Sequence, residues 1–417
     1  MLRSLFSGVS GLRNHQIRLD VIGNNIANVN TVGFKGSRAN FRDVLYQTMT
    51  GATAPQAGRG GINPRQVGLG VSIASIDPVM TQGNIESTGR NTDLAVEGDG
   101  FFVVGDDNGA RFYTRAGSFT LDQMGNLTTA NGLKVVGWTA VNGVLDPANA
   151  VPGFIRVVRG EEMAPSATTM VSYNGNLDAR AAVGSTRPAQ KTVYDSQGNT
   201  HELTITFRKT SDNTWSWTAA ADGGHTVDDG AGGAATGTIT FDAFGAFVSA
   251  TGPVANLRIQ GGDLGGANDI GPVSLDFSAL TQYASATTAN ALDQDGYGRG
   301  SLTEFNLDTN GVITGYYTNG RSRALAQVAL AIFNNPEGLM RYGDTMFQES
   351  NNSGVPQVGV ALSGGRGTLK PGALEMSNVD LSQEFTNLII TQRGFQASSR
   401  VITTSDEVLQ ELVNLKR

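Results

Sequence analysis

Residues 372–417 read GALEMSNVDLSQEFTNLIITQRGFQASSRVITTSDEVLQELVNLKR. Apolar side chains recur in this stretch at every seventh position, namely at Leu374, Leu381, Leu388, Phe395, Ile402 and Leu409. A sustained seven-residue repeat is typical of a helix whose apolar stripe supercoils against a partner helix. We therefore predict a helix from about Val379 to Leu415, with a capping-box start at Ser377, which is followed three positions later by Asp380.

The beginning of the chain carries the same repeat, and Gly33 provides a stop signal for this first helix. One such stripe alone is usually the buried face of an ordinary amphipathic helix in a globular core. Two matching stripes at opposite ends of a long chain favour helices that pair and assemble. We predict that residues 1–33 and 372–417 form a helical assembly domain, whose seam consists of Leu5, Leu12, Leu19, Ile26, Leu381, Leu388, Phe395, Ile402 and Leu409.

Polar residues occupy the second seam position of the terminal helix, where we place Gln392, Ser399 and Asp406. A buried polar group at such a position costs stability but fixes the register or the oligomeric state of a coiled coil. This pattern suits assembly better than a core that serves one chain alone.

Between the two ends the sequence changes to strand patterns. Residues 34–71 are rich in Gly, Pro and Gln, and we interpret them as an extended connector. From Val71 onward β-forming residues alternate or cluster between turns, as in DLAVEGDGFFVV. We predict a β-rich domain from residues 72–145 and 284–371, into which residues 146–283 are inserted as an outer β domain. The predicted class is α+β and multidomain, with paired N- and C-terminal coiled-coil helices and nested β-rich outer domains that are barrel-like or sandwich-like.

Composition limits the kind of partner. The 417 residues include 55 glycines and only 16% charged residues, a mix that suits many turns between short strands. The net charge of −7 provides no basic surface for nucleic acid or for an anionic membrane. The chain has no cysteine, which excludes disulfides and thiolate chemistry. We find neither a signal-peptide core nor an apolar run of about 18 residues that could span a membrane.

The sequence offers no residue pattern for catalysis or cofactor binding. His15, His201 and His225 fall in three different predicted regions and lack the spacing of metal ligands or of a catalytic triad. We therefore assign no catalytic residue, no cofactor and no metal, and we expect that the protein is not an enzyme.

One stretch imitates a calcium loop. Asp293, Asp295, Gly298 and Glu304 occupy the first, third, sixth and twelfth positions of an EF-hand pattern. Tyr297 stands at the fifth position and the flanks have a strand pattern, so we favour a turn-rich connector. The similar run at Asp308, Asn310 and Gly311 is explained by a tight hairpin turn.

Several runs resemble the axial proteins of the bacterial flagellum, the family that builds its rod and hook. LDVIGNNIANVNTVGFKGSRANFRDVLYQT at residues 19–48 resembles the signature shared by family members, and residues 372–417 resemble the family's C-terminal end. Between them, TDLAVEGDGFFVV, FYTRAGSFTLDQMGNL, VYDSQGNTHELTITF and NGRSRALAQVALAIFNNPEGL are similar to hook-type segments. The resemblance covers nearly the whole chain. The long segment between Trp138 and Tyr283 favours the hook type over the distal rod type, which lacks a large middle domain.

The resemblance implies a structural subunit that polymerises into the hook, a flexible tubular joint that transmits motor torque to the filament and encloses the export channel. It implies that the partners are further copies of the chain, the distal rod protein, the hook cap, the hook–filament junction protein and the flagellar type III export apparatus. It also implies export to the cell exterior through the flagellar channel without a cleaved signal peptide. Two alternatives stay open, a distal rod-like subunit and a secreted calcium-binding adhesive module.

Overall fold

A computed structural model describes residues 2–55, 59–148, 150–260 and 270–414. The described residues form two compact units. Unit 1 draws on Met1–Val158, Phe305–Gly315 and Arg323–Arg417, so it contains both ends of the chain. Unit 2 draws on Arg159–Glu304 and Tyr316–Ser322. Most of the regular structure is β-strand, with one long α-helix near each end.

The strands are short, in keeping with the many turn residues. The first sixteen are β1 Ser37–Asp43, β2 Tyr46–Thr50, β3 Arg65–Gly68, β4 Val71–Pro78, β5 Ile85–Ser87, β6 Leu94–Glu97, β7 Phe101–Gly105, β8 Arg111–Thr114, β9 Thr120–Leu121, β10 Leu127–Thr128, β11 Lys134–Thr139, β12 Gly153–Phe154, β13 Glu162–Met163, β14 Met170–Asn176, β15 Thr186–Tyr194 and β16 Thr200–Ser211. The others are β17 Thr214–Ala221, β18 Val227–Asp228, β19 Thr236–Phe241, β20 Phe247–Ala250, β21 Leu257–Ile259, β22 Ile270–Thr281, β23 Asn290–Gln294, β24 Gly300–Leu307, β25 Val312–Tyr317, β26 Ser322–Val328, β27 Leu330–Ile332, β28 Met340–Gly343, β29 Met346–Gln348, β30 Gln357–Gly359, β31 Thr368–Pro371 and β32 Ala373–Glu375.

The two helices are α1, Leu2–Ala27, and α2, Leu381–Asn414. Asp380 caps α2, because its carboxylate accepts hydrogen bonds from the Ser382 and Gln383 N–H groups at 2.8 and 3.3 Å. The predicted capping residue, Ser377, lies three positions too early. Gly33 is not the stop of α1, which ends at Ala27.

Gly33 does not end α1 but allows a close approach between two backbone segments. Its φ of +69° lies in the left-handed region, and a Cβ at this position would come within 2.4 Å of the Ala116 nitrogen. Its N–H donates to the Glu375 carbonyl at 2.8 Å. Only glycine therefore lets the chain leaving α1 pass this close to the neighbouring backbone.

The segment predicted to be an extended connector forms paired strands. Strand β1 pairs antiparallel with β4, and β2 pairs antiparallel with β3. The β1–β4 ribbon lies against α1, since Asn14 Nδ2 donates to the Val71 carbonyl at 2.6 Å and the Phe41 ring packs edge-on against His15. The β2–β3 ribbon is exposed along both of its strands.

A sheet around β11, β7 and β8 forms the core of unit 1. Its strands pair antiparallel in the order β26-β11-β7-β8-β29-β28. Alternate side chains on β7, Phe101 and Val103, enter a core that also contains Tyr113, Val136 and Phe347. The period-two pattern of DLAVEGDGFFVV therefore does mark a buried strand.

Unit 2 contains two five-stranded sheets, in the orders β18-β21-β22-β14-β23 and β15-β16-β17-β19-β20. They share one core, which includes Tyr173 and Phe277 from the first sheet and Phe207, Trp215 and Trp217 from the second. This arrangement is a sandwich. The described strands of the chain form no closed barrel.

One turn type recurs in both units. An Asp carboxylate accepts from the backbone N–H groups two and four residues later, and a glycine with positive φ stands between them. The aspartates of the six turns are Asp106, Asp122, Asp195, Asp229, Asp242 and Asp308. The hairpin turn expected at Asp308 is thus confirmed.

Candidate assembly site

The candidate site is the helix pair of α1 and α2 in unit 1. The helices run antiparallel: Ser4 Oγ, near the start of α1, lies 3.3 Å from Ser405 Oγ, near the end of α2, whereas the His15 ring, further along α1, lies against Gly394, which is closer to the start of α2. Because α2 is the longer helix, about its last two turns extend past the start of α1. Neither helix is long and apolar enough to cross a membrane, as far as the described residues go.

Small residues let the two helices approach closely. A Cβ added at Gly8 would lie 3.0 Å from Ile402 Cγ1, and one added at Gly11 would lie 2.8 Å from Ser398 Oγ. A Cβ at Gly394 would lie 2.7 Å from the His15 ring. The distance between packed helices is set by the side chains at the contact, so these glycines determine how close α1 and α2 come.

The predicted seam residues are only partly covered in the single chain. Leu381 and Phe395 are 38% and 36% exposed. The other seven are half-buried, namely Leu5, Leu12, Leu19, Ile26, Leu388, Ile402 and Leu409. Each of the nine therefore keeps apolar area that is accessible to another molecule.

Within the chain, the second seam position of α2 lies one residue before the predicted one, while Ile402 of the predicted seam lies against Gly8 of α1. Gln392 and Asp406, which we expected at the second seam position, are exposed. One residue earlier, Thr391 is fully buried, and Ser398 and Ser405 lie against α1. The seven-residue spacing of this series is visible in the sequence, but a search for apolar stripes passes over small polar residues.

The helix pair leaves a large apolar surface uncovered. Large apolar side chains on both helices are at least a third exposed. Some of them lie on the end of α2 that extends past α1. The exposed side chains are Phe6, Val9, Ile17, Leu381, Phe385, Ile389, Ile390, Phe395, Val401, Val408, Leu412 and Val413. So many exposed large apolar side chains on one helix pair favour an interaction surface.

A buried ion-pair network joins the chain after α1 to the chain before α2. Lys35 Nζ lies 2.6 Å from Glu375 Oε1, and Arg115 Nη1 lies 3.4 Å from Glu375 Oε2. Glu375 Oε1 also accepts a hydrogen bond from the Gly83 N–H at 2.8 Å. Burial lowers the pKa of Lys35, and the nearby Glu375 carboxylate partly offsets this shift. The network holds the chain that leaves α1 against the chain that leads into α2.

Two asparagine side chains stabilise the same region, between the helices and the first strands. Asn378 Oδ1 accepts from the Gly36 N–H at 2.8 Å, and its Nδ2 donates to the Val79 carbonyl at 2.9 Å. Asn25 makes the equivalent pair of bonds with the backbone of Ser37, at 2.8 and 2.9 Å. Both amides act as two-ended clamps that satisfy backbone groups where the chain turns from helix to strand.

Two titratable groups lie along the helix contact. Burial lowers the pKa of His15, and the positive charge of Arg18 lowers it further. Burial raises the pKa of Glu384, against the opposing effects of Asn25 and Arg18. Folding therefore disfavours protonation of His15 and favours protonation of Glu384.

We expected the three histidines to lie apart, but two of them are close together. His201 and His225 meet in unit 2, with ring centroids 5.2 Å apart, and Asp222 lies beside them. The prediction that the three histidines lie in different regions is thus wrong for His201 and His225, because folding brings distant positions together. The prediction that no metal binds stays a prediction. The calcium-loop residue Asp295 instead accepts hydrogen bonds from the Thr169 and Met170 N–H groups at 2.8 and 2.9 Å.

Four family profiles match successive parts of the chain. They are "Flagella basal body rod protein" at residues 5–35, "Flagellar hook protein FlgE/F/G D1 domain" at 95–164, "Flagellar basal body protein FlaE D2 domain" at 164–297 and "Flagellar basal body rod FlgEFG protein C-terminal" at 370–415. Together they describe the rod and hook class of flagellar proteins.

Similar proteins narrow this class. The flagellar hook proteins FlgE of Borreliella burgdorferi and Treponema pallidum are 41% and 42% identical to the chain, over 100% of both sequences in each case. The flagellar basal-body rod protein FlgG of Bacillus subtilis is 32% identical, also over 100% of both sequences. The chain belongs to the flagellar hook protein family.

A solved structure has the same fold. The crystal structure of Helicobacter pylori flagellar hook protein FlgE2 superimposes with a TM-score of 0.53 and 15% sequence identity, covering 70% of this chain and 100% of that chain.

Proposed function

We propose that the chain polymerises into the tube of the flagellar hook, and that the apolar surface of the α1–α2 pair is its principal contact with further copies. The observation that carries this proposal is that different residues of the helices face inward and outward. Small residues such as Gly11 and Ser398 form the contact within the chain, whereas large apolar residues such as Phe385 and Ile389 remain exposed.

The free energy available from this surface is substantial. Burying a large aliphatic or aromatic side chain contributes about 1.5–3 kcal/mol relative to leaving it exposed. A dozen such side chains on α1 and α2 are at least a third exposed, so partial burial of the set supplies enough to offset the entropic cost of ordering subunits in a polymer. The nine predicted seam residues contribute to the same surface and form a coiled-coil seam with neighbouring copies.

The β2–β3 ribbon supplies a second contact. A two-stranded ribbon is marginal in water without a covering partner. Its residues Tyr46 and Met49, and Leu45 just before it, are 56%, 68% and 64% exposed. A neighbouring copy that covers this ribbon would stabilise it and extend the interface beyond the helices.

The remaining parts of the chain take outer positions. In this proposal residues 1–33 and 372–417 are the assembly domain and 34–71 connect it to two nested β domains, 72–145 with 284–371 and 146–283. The helices line the export channel. Besides its own copies, the partners are the distal rod protein, the hook cap, the hook–filament junction protein and the type III export apparatus, through which the chain leaves the cell.

Electron microscopy of the purified chain at increasing concentration tests the proposal. We expect hollow, curved tubes whose formation depends on concentration. A chain that remains monomeric at every concentration and salt condition, while its circular dichroism reports folded helices and strands, would contradict it. Straight rods of short, fixed length would favour the distal rod alternative.

The calcium-binding adhesive alternative has little structural support. Asp293 and Glu304 of the first look-alike loop lie in strands β23 and β24, whereas an EF-hand loop lies between two helices. Asp308 belongs to a hairpin turn that its backbone hydrogen bonds already explain. Isothermal titration with calcium distinguishes the two functions, because a saturable heat signal is expected only from a calcium module.

A further inference from the structure

Unit 2 brings two histidines and two aspartates together at one edge of its sandwich. His201 lies at the start of β16 in one sheet, and His225 lies just before β18 in the other sheet. Asp222 follows β17 in a short 3-10 turn. One ligand atom from each of His201, Asp222 and His225 lies within 4.8 Å of the other two.

A buried carboxylate orients the first histidine. Asp195 is fully buried, and its Oδ2 lies 3.5 Å from His201 Nε2. The Asp195 turn also receives hydrogen bonds from the Gln197 and Asn199 N–H groups at 2.8 Å. An ionised carboxylate only accepts hydrogen bonds, so Nε2 of His201 carries the proton that faces Asp195.

This orientation leaves two acceptors facing each other. When Nε2 is protonated, a neutral His201 presents a lone pair at Nδ1, and Nδ1 lies 3.8 Å from Asp222 Oδ1. A cation between them would satisfy both atoms. The nearby His225 ring offers a third ligand atom. A metal ion would bind all three groups, whereas a proton shared by His201 and Asp222 would not involve His225.

We propose that His201, Asp222 and His225 bind a divalent transition-metal ion of the zinc type, with Asp195 as the carboxylate that positions His201. Two imidazoles and one carboxylate form a set of ligands that suits zinc, cobalt and nickel better than calcium or magnesium. A carboxylate behind a metal-binding histidine fixes its tautomer and orientation in known sites. Three protein ligands leave one tetrahedral position for water.

The local backbone can close around such an ion. Ligands about 2.0–2.2 Å from a tetrahedral zinc lie about 3.3–3.6 Å from one another, so the three groups need to move together by about an ångström. Asp222 and His225 flank two glycines, Gly223 and Gly224, and Gly223 has a φ of +63°. A bound ion would connect the two sheets of the sandwich and stabilise unit 2, because it binds the folded chain in preference to the unfolded one.

Cobalt titration of the metal-free, full-length chain tests the proposal, since tetrahedral cobalt absorbs in the visible and no cysteine competes for it. We expect one cobalt ion per chain, displaced by zinc, and a rise in melting temperature with zinc. His225→Gln and Asp222→Asn, both in a loop, should each weaken binding at least about tenfold. His15→Gln, which removes the third histidine of the chain, should leave it unchanged.

Circular dichroism of each variant without metal verifies that the fold is retained. A cobalt band that persists at full affinity in folded His225→Gln would overturn the site, as would its loss in His15→Gln. Absence of saturable binding by the unchanged chain at millimolar cobalt would overturn it as well. None of these results bears on polymerisation, so this site and the proposed function stand or fall separately.

Discussion

Lys35 Nζ and Glu375 Oε1 lie 2.6 Å apart in the interior of unit 1, although the two residues are 340 positions apart in the sequence. Their side chains are 1% and 0% exposed. This pair joins the two ends of the chain where each helix meets the β structure. A buried ion pair adds little net stability, but loss of one partner leaves an uncompensated buried charge.

Glu375→Gln tests this connection. We expect it to lower the free energy of unfolding of unit 1 by about 3–5 kcal/mol, because Lys35 and Arg115 would keep their charges without a carboxylate. Urea unfolding followed by helical circular dichroism measures the change. The control is Asp107→Asn, which breaks the exposed pair with Lys134 and should cost less than about 1 kcal/mol. Equal costs for the two variants would contradict the assigned role of the buried pair.

Gly394→Ala tests the close approach of the helices. The added methyl group would lie 2.7 Å from the His15 ring, and such overpacking costs about 1–3 kcal/mol. The matched control is Gly23→Ala on α1, where no atom lies within 4 Å of the new Cβ. The control should gain up to about 1 kcal/mol from helix propensity. Thermal unfolding distinguishes them, and stabilisation by both variants would mean that the helices do not pack as described.

Acidification should weaken the helix pair through His15. Its folded pKa lies below the ordinary 6.5, so the unfolded chain binds the proton more readily. Stability is unaffected by this group well above pH 6.5 and falls as the pH drops below it. Melting temperatures between pH 7.5 and 5.5 should decline less in His15→Gln than in the unchanged chain. That comparison also separates His15 from Glu384, whose raised pKa acts in the opposite direction. Identical pH profiles would remove His15 from the account.

The sequence predicts the helices well and their contact less well. The seven-residue repeat from Leu381 to Leu409 identifies α2, because apolar periodicity is a local signal. It does not reveal that Ser398 and Ser405 face α1, since a close contact between helices selects for small size rather than for hydrophobicity. Helix α2 begins at Leu381 rather than at about Val379, a difference of the usual size for helix boundaries.

Contacts between distant residues account for the remaining differences. The Gly- and Pro-rich composition of residues 34–71 indicates a linker, but β1 finds its partner in β4 only when the chain folds back along α1. In the same way, nothing local to His201 or His225 signals that a sandwich edge brings the two rings together. Lys35, Arg115 and Glu375 are ordinary charged residues in the sequence, and only tertiary structure buries them together.

The central claim is that the exposed apolar face of the helix pair drives polymerisation, and Phe395 lies on that face. Phe395→Asp places a charge where a neighbouring copy would bury it, whereas Phe395→Leu keeps an apolar side chain. The decisive measurement is sedimentation with electron microscopy of both variants, after thermal unfolding has shown that their monomers are equally stable. We expect tubes from Phe395→Leu and none from Phe395→Asp; tubes of normal yield and length from Phe395→Asp would contradict the account.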